Sequence, residues 1–220
     1  MPFALPAAYP LFVDALWQQP PGQLQLDDSN LALAKIDLNN QAAFCAYVEN
    51  EMKQQKCDWL AGGYGENRTI YRKSEVFDGQ EARSLHLGVD FWMAAQNPVY
   101  APVAGRLHSF ANNARSGDYG PTLILEHERA GGVFYTLYGH LSTASLAGKT
   151  VGDRFEAGAL LGWLGEWHEN VHWPPHLHFQ LILDMGDYQG DFPGVCSPSD
   201  KEIWQKRCPD PNLLLSVPWL

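Results

Sequence analysis

The chain has 220 residues, 45% of them hydrophobic, enough for one substantial core that folds without disulfide or metal staples. Acidic residues outnumber basic ones 25 to 15, and the formal charge of −10 with a pI near 5.1 excludes nucleic acid and anionic surfaces as bulk partners. No run of about 18 apolar residues occurs, so no membrane span is expected. Pro6, Pro10 and Asp14 interrupt the apolar N-terminus and no basic residue precede it, so no signal peptide is read and a cytoplasmic address is expected.

In chain order, residues 1–38 are irregular, broken at Pro20-Pro21-Gly22, and are expected to drape over the main domain. Phe44, Tyr47, Val48 and Met52 recur at helical spacing, which predicts an amphipathic helix over 39–56 with Asn39 or Asn40 as N-cap and its apolar stripe turned to the core. Residues 1–58 therefore read as an N-terminal extension carrying one helix. Gly62-Gly63-Tyr64-Gly65 marks a turn, and beyond it the helical period gives way to short strand-like runs. Strands are predicted at Thr69–Arg72, Val99–Pro102, Gly105–Phe110, Thr122–His127, Val133–Tyr138, Leu160–Leu164 and His176–Leu183, with Gly131-Gly132 as a hairpin turn. The domain over 59–220 is thus expected to be mainly antiparallel β. Ser199-Asp200-Lys201-Glu202 reads as a capping box opening a short C-terminal helix stopped by Pro209. Cys45, Cys57, Cys196 and Cys208 contain no C-x-x-C, and reduced structural thiols are expected.

The chemistry concentrates at Trp173-Pro174-Pro175-His176-Leu177-His178-Phe179-Gln180. On a strand, His176 and His178 share one face while Leu177 and Phe179 share the other, and the two prolines stiffen the approach. Upstream, His86 and Asp90 would stand about 13 Å apart on a straight strand, so a bend, made cheap by Gly88, is required for them to converge. Three protein ligands with one open position is the pattern of catalytic zinc, and imidazoles with a carboxylate suit Zn²⁺. Neither HExxH nor a nucleophilic serine or cysteine elbow occurs.

The ordered motifs HLGVDF, VYAPVAGRL, FYTLYGHLS, VGDRFEAGALLGWLG and HLHF resemble the lysostaphin/LytM-type zinc metallopeptidase family over roughly residues 62–183, and Pro209-Asp210-Pro211 followed by leucines is similar to the family's end. The resemblance implies that family's β fold, with one Zn²⁺ per chain on His86, Asp90 and His178. It also implies two catalytic imidazoles, His140 and His176, and hydrolysis of amide bonds in peptidoglycan-derived or glycine-rich peptides. His176 is then the expected base and His140, across the cleft, the stabiliser, with the roles open to exchange. A non-catalytic LytM-type binding or regulatory domain is the alternative, against which stands the retention of all five residues. His108, His127, His168 and His172 are expected to be structural, and Trp163, Trp167 and Trp173 to pack. The family's Gly- and Ser-rich lead into His-x-His is here the bulkier, acidic Glu166–Pro175.

Overall fold

The computed structural model describes residues 5–38, 40–68, 83–115 and 117–220. Along the chain run α1 (Asp14–Trp17), β1 (Gly22–Gln23), α2 (Gln41–Gln55), β2 (Leu60–Gly62), β3 (Leu85–His86) and β4 (Val89–Trp92). Next come β5 (Pro98–Tyr100), β6 (Gly105–Asn113), β7 (Gly120–Arg129), β8 (Gly132–Gly139), β9 (Arg154–Phe155) and β10 (Leu160–Trp163). The chain closes through β11 (His176–Ile182), β12 (Val195–Cys196), α3 (Lys201–Arg207) and α4 (Asn212–Leu215). The fold is mainly β, as expected. The predicted Thr69–Arg72 strand lies outside the described residues.

One eight-stranded sheet, ordered β1-β2-β4-β11-β8-β7-β6-β9, organises the molecule. All its neighbours pair antiparallel except β1 with β2. The Gly131-Gly132 turn joins β7 to β8, where Arg129 pairs with Gly132, and both glycines take positive φ. Alternation along β11 separates core from site: Leu177, Phe179 and Leu181 pack with Val89, Phe91, Leu123, Leu125 and Tyr138. His176, His178 and Gln180, all buried, face the other way.

The N-terminal segment is built into this body. Leu11 and Phe12 belong to the main core, and Gly22 and Gln23 extend the sheet beside Leu60 and Ala61. Leu24, Leu26 and Leu33 close a second cluster with Phe44, Tyr47 and Val48 of α2 and with Trp92. Asn40 caps α2, its side chain accepting from the Ala43 N–H at 3.1 Å. The C-terminal helix differs from expectation in its start. Ser199 lies inside a 3₁₀ turn over Pro198–Asp200, and the helix that follows has Asp200 at its N-cap with no side-chain cap bond. Ser197 Oγ donates to Asp200 Oδ2 instead, which removes that carboxylate from capping duty. Among the described residues, no helix is long and apolar enough to cross a membrane.

Candidate active site

His86, Asp90 and His178 come together from three strands. His178 pairs with Asp90 across β11 and β4, and the chain breaks between β3 and β4 at Leu87-Gly88, so His86 swings toward the pair. At Gly88 a Cβ would stand 2.6 Å from His178 Cε1 and Nε2, so the glycine makes room for the imidazole as well as for the bend. One donor atom from each of the three residues lies within 4.8 Å of the other two, and all three side chains are buried.

The hydrogen bonds around the cluster fix its protonation. His86 Nδ1 is 3.0 Å from the Gly63 carbonyl, which can only accept, so Nδ1 carries the proton and Nε2 the lone pair. Gln180 donates from its amide nitrogen to the Pro193 carbonyl, which turns its oxygen, 2.9 Å away, toward His178 Nε2. His178 Nε2 therefore donates and Nδ1 bears the lone pair. The two lone-pair nitrogens face each other at 2.9 Å, with Asp90 Oδ1 at 3.1 Å from His178 Nδ1 and 3.5 Å from His86 Nε2. Two lone pairs and a carboxylate oxygen converging without a proton between them is a donor set that a cation satisfies, and its chemistry fits zinc. Burial pushes the Asp90 carboxyl up, but the Arg68 guanidinium and then His86 outweigh it and hold the group well below the usual carboxylate range. Burial, and next the Arg68 charge, push His86 well below the ordinary imidazole value.

His140 and His176 lie beside this cluster. Contrary to the expectation of imidazoles on opposite sides of a cleft, their rings are neighbours, with centroids 4.0 Å apart and planes tilted by 35°. His176 stacks on Trp92 at 3.9 Å, and its Nδ1 donates to the Pro174 carbonyl at 2.7 Å, which leaves Nε2 as acceptor. Burial pushes its pKa down to about 4, against the upward pulls of Asp90 and the Pro174 carbonyl. His140 follows β8 at φ 61°, a conformation that costs a non-glycine residue about 1–3 kcal/mol. Bonds from its N–H to the Tyr119 carbonyl and from Gly165 N–H to its own carbonyl hold it there. Burial, then the neighbouring His176, push its imidazole well below the ordinary value.

All five residues border one cleft of about 280 Å³, walled by Trp92, Trp173 and Tyr119. Trp173 both packs, against Phe44 of α2, and flanks His140 and His176. The acidic loop before it is tied down by Glu169, whose carboxylate accepts from Thr143 N–H and Glu166 N–H. His127 is structural as expected, bonded to the Ala104 carbonyl and Thr136 Oγ1 and stacked on Phe134. His168 and His172 pack on Trp167, away from the five.

The sequence did not single out Glu66, Arg68, Trp92 or the role of Gln180. Gln180 continues the 176, 178 alternation and was readable from it. Arg68 carries no such signal, since its partner Asp90 is 22 residues downstream.

The model of Peptidase family M23 matches residues 84–189. Over 101 residues the chain is 35% identical to the glycyl-glycine endopeptidase ALE-1 of Staphylococcus capitis, covering 45% of this chain and 25% of that protein. Over 102 residues it is 32% identical to lysostaphin of Staphylococcus simulans, covering 46% and 18%. The chain thus spans a quarter or less of the length of these curated relatives. Among solved structures, the catalytic domain of the antimicrobial peptidase lysostaphin from Staphylococcus simulans aligns with 71% of this chain and 96% of that one, at 25% identity and a TM-score of 0.41. The family match and both relatives point to the same family, and residues 84–189 of this chain are a Peptidase family M23 domain.

Proposed function

We propose that this chain is a zinc-dependent hydrolase of peptide bonds, with one Zn²⁺ held by His86, Asp90 and His178. The observation that carries the proposal is the convergence of two imidazole lone pairs and a carboxylate oxygen, each oriented by a partner behind it. Zinc held there supplies Lewis acidity toward a scissile carbonyl and a water acidic enough to be deprotonated near neutral pH.

The protein's own residues supply the rest. His176, neutral at pH 7 and with Nδ1–H committed to the Pro174 carbonyl, accepts a proton at Nε2. His140, also neutral, donates an N–H toward developing oxyanion charge. Trp92 fixes the plane of His176, and Trp173 closes the side of the cleft behind both rings. The glycyl-glycine endopeptidase ALE-1 and the family match make glycine-rich and peptidoglycan-derived peptides the substrates to test.

The test is metal analysis of the purified chain joined to a cleavage screen over pentaglycine and D-amino-acid-containing muropeptides. About one zinc per chain and cleavage abolished by chelator are expected. Zinc-loaded protein that cleaves none of them would favour a binding role for the same domain. We further place the chain in a reducing, cytoplasmic compartment, a reading that four free cysteines support, with Cys196 and Cys208 buried. Thiol titration of freshly lysed, alkylated cells should return four free thiols.

A further inference from the structure

Behind Asp90 runs a chain of charge-assisted hydrogen bonds that reaches the N-terminal segment. Arg68 is 2% exposed, and its Nη1 donates to Asp90 Oδ2 at 2.6 Å. Its Nε donates to Glu66 Oε2 at 2.7 Å. The other oxygen of Glu66 accepts the backbone N–H of Leu26 at 2.7 Å, 40 residues earlier in the sequence. Leu26 itself is fully buried against α2 and β2. Gly63 closes the arrangement: its carbonyl orients His86, its φ is +106°, and a Cβ there would collide with Arg68 Nη2 and stand 3.0 Å from His86 Nδ1. The Gly62–Gly65 turn is thus shaped around both the guanidinium and the imidazole.

The geometry points to Arg68 and Glu66 as positioning residues for the metal ligand Asp90, anchored by the N-terminal segment through Leu26. The inference rests on the zinc reading above and extends it. Asp90 has two oxygens. Arg68 occupies Oδ2 and leaves Oδ1 aimed at the two histidine lone pairs, so the carboxylate meets a cation through one oxygen in a fixed orientation. The row Glu66, Arg68, Asp90 carries a net single negative charge, which two neutral imidazoles leave unchanged and a divalent cation converts to a single positive one. Removing Arg68 would leave the buried Asp90 carboxylate and the partly buried Glu66 carboxylate without their shared cation. Partners of this kind typically hold about 10–100-fold in metal affinity.

The experiment measures zinc affinity of the full chain by competition with a chromophoric chelator, for wild type, Arg68→Lys, Arg68→Met and Glu66→Gln. Visible spectra of the Co²⁺-loaded forms report ligand geometry. Arg68→Met is expected to weaken zinc binding about 10–100-fold. Arg68→Lys, which keeps the charge but not the fork, should recover part of it and shift the Co²⁺ bands, and Glu66→Gln should lose less than Arg68→Met. Thr136→Val, a core change on β8 remote from the row, controls for general destabilisation and should leave affinity unchanged. Should Arg68→Met not fold, Arg68→Lys and Glu66→Gln carry the comparison. Wild-type affinity and unshifted Co²⁺ spectra in the folded variants would overturn the inference, as would an equal loss in Thr136→Val. The readout is metal affinity, so a wild type that binds zinc without cleaving peptide would sink the hydrolase reading and leave this comparison intact.

Discussion

The two halves of the candidate site are held in place by different forces. The His86, Asp90 and His178 side chains each have a polar partner behind them, Gly63, Arg68 and Gln180, at 2.6–3.0 Å. The His140 and His176 rings are positioned by aromatic surface, Trp92 under His176, Trp173 beside both and Phe44 of α2 behind the two tryptophans, with a hydrogen bond besides, from His176 Nδ1 to the Pro174 carbonyl. Hydrogen bonds fix direction at an atom, which a metal ligand requires. Packing fixes a plane while leaving a nitrogen available, which proton transfer requires. The difference teaches that replacements in the two halves should fail in distinguishable ways.

The largest effect is expected at His178. His178→Ala removes a donor atom, so zinc content should fall to background and hydrolysis with it, as metal analysis beside turnover would read. His176→Ala should instead retain zinc while slowing hydrolysis about 10²- to 10⁴-fold, and His140→Ala should behave alike. Loss of zinc from His176→Ala equal to that from His178→Ala would erase the distinction between the halves. Next in size is Phe44→Ala. Truncating a buried phenylalanine costs about 3–5 kcal/mol, so the urea midpoint should drop, kcat should fall as the tryptophan wall loosens, and zinc affinity should hold. A variant that loses affinity but keeps kcat would mean that α2 serves the polar half.

The last expected effect is the pH dependence of metal-free protein. Burial lowers the folded pKa of His127, as it does for His86, His140 and His176, so the unfolded chain binds more protons than the folded one below about 6.5. Stability should be full above that pH and decline as pH falls through it. Urea midpoints at pH 7.5 and 5.5 would show it, and His127→Leu should flatten the slope. A midpoint independent of pH in the wild type would contradict the burial of these rings as neutral species.

What was legible in the sequence follows the same division. Strong local periodicity made α2, the β7–β8 hairpin and β11 readable, and the alternation on β11 placed His176 and His178 on one face. The two-residue strands β3 and β12 were not readable, because Leu85–His86 and Val195–Cys196 are strands by virtue of long-range pairing, with each other and, at Leu85, with Asn67. The Ser199 cap failed because a local pattern lost to the competing Ser197–Asp200 bond. His86, Asp90 and His178 were legible as a set because ordered motifs carry them. Glu66 and Arg68 were not, because a buried ion pair is specified by the fold that brings its members together and leaves no spacing behind.

The Trp17, Trp59, Phe91 and Trp219 rings form one aromatic cluster on the far side of the sheet, with Trp59 and Trp219 centroids 4.9 Å apart. Phe91 adjoins Asp90 on β4, and Gln23 Nε2 reaches the Trp219 carbonyl across 196 residues of chain. During synthesis the strand that carries the carboxylate therefore emerges after Phe12, Trp17 and Trp59 but long before Trp219 completes the cluster behind it. Closure over such a separation is entropically slow, and folds dominated by non-local pairings form late. A nascent chain halted after β11 would have translated all five candidate site residues while the aromatic wall behind β4 still lacked Trp219, so full competence to bind metal should arrive only once Trp219 has been made.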